Sequence, residues 1–141
     1  MVNSALLSKK ISNVRHNLSR IRTKAPLQLN DLKTDIDIQD IVLHNLQLAV
    51  QGCIDIAAHI VADQGWGVAG SINETFYILR DKKAISLEMM EKMVSMAGFR
   101  NILIHEYEDV NLDIVHAIVE HHLHDIDKFL LTIAKHFNLD S

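Results

Sequence analysis

An arginine, an asparagine, a histidine and a tyrosine fall together in the stretch Phe99-Arg100-Asn101-Ile102-Leu103-Ile104-His105-Glu106-Tyr107. Each type has a defined chemical use. An imidazole titrates near neutrality and can take or give a proton. A guanidinium fork stabilises developing negative charge through bidentate, charge-assisted bonds. A phenol can position an anion or stack on a ring. Spacing then limits what the group can do. At ~100° per residue, Arg100 and Tyr107 are nearly eclipsed on a helix, Asn101 and His105 share a face, and Arg100 and His105 lie ~140° apart. One straight helix therefore cannot aim Arg100, His105 and Tyr107 at one point. Either the helix ends or bends near His105, or a second copy of the motif completes the site. The following Glu106–Asn111 carries three acids and an asparagine, which suits a helix end.

The elements that must position this stretch read as helices throughout. The first is expected from Asn3 or Ser4, either of them a good N-cap, to about Thr23. Leu7, Ile11, Val14, Leu18 and Ile21 recur at spacings of 4, 3, 4 and 3, a narrow stripe for packing against other helices. Pro26 ends the segment. Gln28–Thr34 reads as a connector or a first helical turn, and the second helix then runs to about Asp63. Ile38, Ile41, Val42, Asn45, Ala49, Cys53, Ile56 and Ile60 hold its inner face. Gly52 and the alanines at 49, 57 and 58 permit close approach, and Gly65 is the stop. Asp40, His44 and Asn45 bring polar groups near this stripe and demand partners.

Gly65–Ser71 is a glycine-rich loop in which Trp66 is expected to be a packed lid or interface residue rather than a base-stacking platform. A short helix, Ile72–Arg80, follows, capped by Ser71 or Asn73. Asp81-Lys82-Lys83 turns into a helix capped by Ser86 that carries the motif at its far end. Its four methionines between 89 and 96 are expected to be plastic core or interface filler. Gly98, costly inside a helix, suggests close backbone packing. The last helix starts at Asn111 or Asp113 and runs to about Phe137, with Val115, Ile118, Val119, His122, Ile126, Phe129, Leu130, Ile133 and Phe137 at helical spacing. With no β pattern, residues 1–141 read as a single all-α domain, an antiparallel bundle of four long helices plus one short one.

Composition bounds the alternatives. An apolar content of 48% with one proline and five glycines excludes disorder and a turn-rich β fold. Charge interrupts the apolar stretches every few residues, so no bilayer-spanning segment and no membrane partner are expected. The opening MVNSALLSKK lacks the apolar region of a signal peptide, and Cys53, the single cysteine, excludes an internal disulfide, so a reducing cytoplasm is expected. Cys53 itself reads as inert core. The net charge is −4, yet Lys9, Lys10, Arg15, Arg20, Arg22 and Lys24 are all basic and no acid occurs before Asp31. Such a helix is a solvated face or a local attraction for phosphate.

Rival chemistry is thinner. Glu120-His121-His122-Leu123-His124-Asp125 offers the i, i+4 pairs Glu120/His124 and His121/Asp125, but a zinc site needs three or four convergent ligands, so a polar or interface face is expected and no metal. No glycine-rich phosphate loop follows a strand, and no nucleophile elbow is present. No cofactor is expected. Taken without any relative, Arg100, His105 and Tyr107 could also simply cap a helix end.

The order Arg100, four residues, His105, one residue, Tyr107, opening on Arg100-Asn101, resembles the signature of the HEPN superfamily and in particular of its HepT-type toxins. The resemblance extends over the whole chain, through the Ala49–Gly65 helix, the short helix and the Met-rich helix. It implies a helical homodimer that brings two motif copies into one cleft. It implies a metal-independent endoribonuclease, the toxin of a type VII-like toxin–antitoxin system. It further implies a minimal nucleotidyltransferase antitoxin of MntA type that modifies Tyr107 with AMP. Carried over, Arg100 and His105 are catalytic, Asn101 and Tyr107 support or bind substrate, and Tyr107 is the AMP acceptor. The alternative function is a non-catalytic nucleotide- or partner-binding subunit of a nucleotidyltransferase complex.

Overall fold

The computed structural model describes residues 2–105 and 109–139. Helix α1, Ser4–Arg22, starts where the Asn3 side chain accepts from the Leu6 amide at 3.1 Å. The Asn3 amide in turn donates to Asp63 Oδ2 at 3.1 Å, tying the start of α1 to the far end of the helix it packs on. The five stripe residues Leu7, Ile11, Val14, Leu18 and Ile21 are all buried, each contributing roughly 1.5–3 kcal/mol of apolar burial. They lie along α3, Ile36–Asp63, the longest helix and the centre of the bundle. A Cβ built at Gly52 would overlap Val14 Cγ2, so glycine sets how closely α1 and α3 approach.

Between them, residues 29–34 form a helix of their own, α2 (Leu29–Thr34), anchored by buried Leu32. Asp35 ends α2 and caps α3, its carboxylate accepting from the amides of Asp37 at 3.0 Å and Ile38 at 3.3 Å. Gly65, at φ +64°, stops α3: its amide reaches Ala62 O, and the Trp66 amide reaches back to Val61 O at 3.0 Å. Of the three polar groups expected near the inner stripe, Asp40 and His44 are exposed and Asn45 is buried. Asn45 satisfies its demand by donating to Ile41 O of its own helix at 2.8 Å.

Charge interrupts α3 less often than expected. α3 is long and apolar enough to pass for a membrane span by length and composition, with mean hydropathy 1.3 over its most apolar window. Its apolar residues, Val42 through Val61, are packed against α1, α4 and α5, so the composition is that of a core helix.

Ser71 caps α4 (Ile72–Asp81) by accepting from Glu74 N at 3.1 Å, and Glu74 accepts from Gly70 N at 2.8 Å. Phe76 of α4 meets Phe129 edge-on at 6.1 Å in the core. Ser86 caps α5, Leu87–His105, accepting from Met89 N. Met93 and Met96 are buried and Met89 and Met90 pack against the core, as expected of filler. Cys53 is fully buried, and burial pushes its thiol far above the ordinary range. Trp66 is half-buried, its ring 6.5 Å from Phe137, a packed residue as expected.

The final helix is two helices. Asn111 caps α6 (Leu112–His121), and α7 (Leu123–His136) follows after a break at His122, whose φ is −125° and ψ −3°. The break has a local cause. The Asp125 amide turns back to His122 O at 3.1 Å and the Asp125 carboxylate engages the His122 ring, so the residues between are drawn into a tight turn. Periodicity survives such a turn, which is why the two helices read as one. α7 buries Leu123, Ile126, Phe129, Leu130, Ile133 and Ala134, whereas α6 buries Val115 alone. Among the described residues there is no strand, and the architecture is the expected all-α bundle with two additional short divisions.

Candidate active site

α5 carries the motif out of the bundle. Met96, Ala97, Phe99 and Leu103 are buried and fix the helix to the core. Gly98, Asn101, Ile102 and His105, at i, i+3, i+4 and i+7, are all exposed and form one face. Among the described residues no atom beyond its own helical turn lies within 4 Å of a Cβ built at Gly98, so the expectation of close packing there is corrected: this face is open to them.

Arg100 lies off that face and is half-buried. Its Nη1 donates to Asn101 Oδ1 at 2.9 Å. Its Nε is buried and has no hydrogen-bond partner among the described residues. A buried guanidinium N–H without a partner is costly, and an acceptor from outside the chain would relieve it. The backbone is helical through His105. The ~140° separation of Arg100 and His105 therefore holds, and no hydrogen bond joins them among the described residues. The structure thus brings Arg100 to Asn101 and puts Asn101 beside His105, but leaves Arg100 and His105 on different sides. Tyr107 lies outside the described residues.

Beside the motif, along α5 toward its start, a cleft of about 320 Å³ has Met96, Phe99 and Ile118 as its apolar floor and Glu91, His122 and Asp125 on its rim. Asp125 is only 5% exposed. It receives Lys92 Nζ of α5 at 3.3 Å, His122 Nδ1 at 3.1 Å and His124 Nε2 at 3.3 Å. Burial pushes its carboxyl up, but the hydrogen bonds from His122 and Lys92 outweigh burial and hold it below the usual carboxylate range. Lys92 is held above its ordinary value by its bonds to Glu88 and Asp125. This polar bridge between α5 and α7 is what the histidine-rich run does in the chain. Glu120 approaches His116 at 3.9 Å instead of joining His124. Among the described residues, no three of His, Cys, Asp and Glu gather as metal ligands. Lys92 was not anticipated from sequence. The one available signal was an aspartate next to the apolar stripe of α7.

Known proteins share this arrangement of helices. The family described as Ribonuclease HepT-like matches residues 14–133. An mRNA nuclease HepT of Shewanella oneidensis is 34% identical over 125 residues, 89% of this chain and 93% of that protein. A tRNA nuclease HepT of Aphanizomenon flos-aquae is 24% identical over 141 aligned residues, covering 95% of this chain and 96% of that protein. The solved structure of a tri-AMPylated HEPN toxin of Shewanella oneidensis in complex with MNT antitoxin superposes with TM-score 0.85 at 33% identity, covering 96% of this chain and 99% of that one.

Proposed function

This chain belongs to the HepT-like ribonuclease family, and from that premise we propose that it is the toxin of a toxin–antitoxin pair, a metal-independent endoribonuclease. The observation that carries the reading is the end of α5: a half-buried Arg100 with a buried, unpartnered Nε beside an exposed Asn101 and His105. An RNA phosphate supplies the missing acceptor. His105 takes the proton of the ribose 2′-hydroxyl, the 2′-oxygen attacks phosphorus as the bond from phosphorus to the 5′-oxygen breaks, and the 5′-oxygen takes a proton from water, giving a 2′,3′-cyclic phosphate. Arg100 stabilises the negative charge that gathers on the phosphoryl oxygens, and Asn101 orients the guanidinium.

The site is composite. Within one chain Arg100 and His105 diverge, while Gly98, Asn101, Ile102 and His105 offer an open face with isoleucines 45% (Ile102) and 38% (Ile104) exposed around it. A second copy packed on that face brings His105 of one chain toward Arg100 of the other, and the pair forms a homodimer. The partner is a nucleotidyltransferase antitoxin of the MNT class, in keeping with the complex in which the Shewanella oneidensis toxin was solved. Transfer of AMP to the Tyr107 hydroxyl adds charge and bulk at the RNA-binding cleft and shuts the enzyme off. An RNA substrate and a single buried thiol suit a cytoplasmic setting.

Purified protein is tested on total RNA alongside Arg100→Ala and His105→Ala. Cleavage by the wild type and its loss in both variants is expected; equal cleavage by all three would sink the assignment. Mass spectrometry after co-expression with a nucleotidyltransferase of the MNT class should find added AMP on Tyr107.

A further inference from the structure

The opposite end of α5 holds a different kind of surface. The end of α4, the start of α5 and the end of α7 meet around an open cleft of about 680 Å³. Arg80, Lys83, Lys135 and His136 line it with the hydroxyls of Ser86 and Thr132, and none of its lining residues is acidic. In a chain of net charge −4 this is a local reversal of sign. Arg80 has a loose contact with Asp81 at 3.7 Å, while Lys83 and Lys135 have no ion-pair partner among the described residues.

Arg80, Lys135 and His136 sit in the last turns of their helices, where the helix dipole favours cations. That alone would explain them as structural. Lys83 is different. It lies beyond α4 at φ +62°, and the amides of Lys83 and Ala84 close onto Arg80 O and Leu79 O at 2.9 Å. This is the turn that ends α3 as well, and there the left-handed position is held by Gly65. A lysine costs more than glycine in that conformation, so local folding favours glycine at 83. The lysine therefore answers to something other than the turn, and it adds its charge to the cleft. Arg and Lys supply charge, Ser86 and Thr132 can donate hydrogen bonds, and the α5 N-terminus adds its positive dipole end; together these suit phosphate groups.

We propose that the Arg80–Lys83–Lys135 cleft binds the phosphodiester backbone of RNA at a second site, ~20 Å from Arg100 along α5 at 1.5 Å per residue. The proposal rests on the ribonuclease reading and adds where a long substrate is held. Such a site raises affinity for long RNA and is out of reach of a very short one.

The test compares the full-length protein with a variant carrying Arg80→Gln, Lys83→Gly and Lys135→Gln. All three positions are exposed, and Lys83→Gly relieves the turn, so thermal stability is expected to hold. Binding of a labelled single-stranded RNA of some thirty nucleotides is followed by fluorescence anisotropy across salt concentrations. Affinity at low salt should fall roughly tenfold or more, and the salt slope should drop by about 2, near 0.7 per lost phosphate contact. KM for the long RNA should rise with kcat unchanged, and cleavage of a trinucleotide should be unaltered. A control variant, Lys9→Gln with Arg20→Gln on α1, should bind like the wild type. An unchanged salt slope in the triple variant, or an equal loss in the α1 control, overturns the proposal. So does displacement of the RNA by AMP or inorganic phosphate at matched phosphate concentration, which would make this a mononucleotide site. Loss of antitoxin capture with RNA affinity intact also overturns it, by assigning the cleft to the partner protein. Anisotropy needs no cleavage, so a wild type that binds through the cleft yet cuts nothing would fault the ribonuclease reading alone.

Discussion

Arg100 Nη1 donates to Asn101 Oδ1 at 2.9 Å, so a neighbour on the same helix turn holds the guanidinium while its buried Nε is left for an acceptor from outside. In the proposed mechanism this presents the planar fork in a fixed pose before substrate arrives, which is the condition for electrostatic stabilisation of a transition state.

Arg100→Lys is expected to behave like Arg100→Ala, each lowering kcat on RNA by about 10²–10³, because an ammonium cannot reproduce the bidentate fork. Asn101→Ala keeps the guanidinium but frees it, and a loss of roughly ten- to a hundredfold in kcat is expected. Single-turnover cleavage measures both; an Arg100→Lys enzyme at wild-type rate would show that only charge matters.

Mixing inactive chains probes the composite site. Arg100→Ala and His105→Ala proteins, unfolded together and refolded, should recover roughly a quarter of wild-type activity, since half the dimers are mixed and each has one intact site. Each protein refolded alone should stay inactive. No recovery in the mixture would place Arg100 and His105 of the same chain in one site.

Gly98→Ala separates folding from assembly. Nothing among the described residues meets the added methyl, so the folded monomer should gain about 0.5–1 kcal/mol, read as a rise of a few degrees in Tm. The same methyl stands on the face with Asn101 and His105. Sedimentation should therefore report weaker dimerisation, and RNA cleavage should fall with it.

The Asp125 carboxylate gives the fold a defined acid limit. Its folded-state value is lowered, so its contribution to stability is complete above the ordinary carboxylate value near ~4 and is lost as pH falls through the lower, folded value. Lys92 is shifted the other way, so its share is complete below its ordinary value and fades as pH rises through the higher, folded one. Asp125→Asn should cost about 1.5–3 kcal/mol at neutral pH by removing charge-assisted bonds to a buried acceptor. Thermal melts from pH 2 to 7 should show the wild-type advantage shrinking below ~4; a constant gap would mean the carboxylate charge is irrelevant.

Features fixed by near neighbours in the chain were readable from sequence. Asn3, Ser71, Ser86 and Asn111 cap helices, Gly65 ends one, and the stripe of α1 is buried residue for residue. Those signals act within a turn or two. What escaped was set at a distance or by absence. Lys92 and Asp125 are 33 residues apart, and their bond belongs to tertiary structure. The turn at His122 hides because both helices keep the same apolar period across it. Gly98 has the composition of a packing contact, yet no atom of the described residues outside its own turn meets a Cβ there, and helical period alone cannot tell a packed glycine from an open one. The divergence of Arg100 and His105 was legible from helical arithmetic alone and persists in the structure because α5 stays helical through His105.

The ring contact between Trp66 and Phe137, 6.5 Å and tilted by 38°, makes the sole tryptophan an optical sensor for one pole of the molecule. His136, on the rim of the basic cleft, lies against Phe137 with ring centres 4.8 Å apart. Polyanion arriving there is two aromatic contacts from the indole, whereas events at Arg100 are a helix length away. Intrinsic emission should therefore respond to occupancy of the basic end and stay silent to chemistry at the other, giving a label-free signal for that end alone.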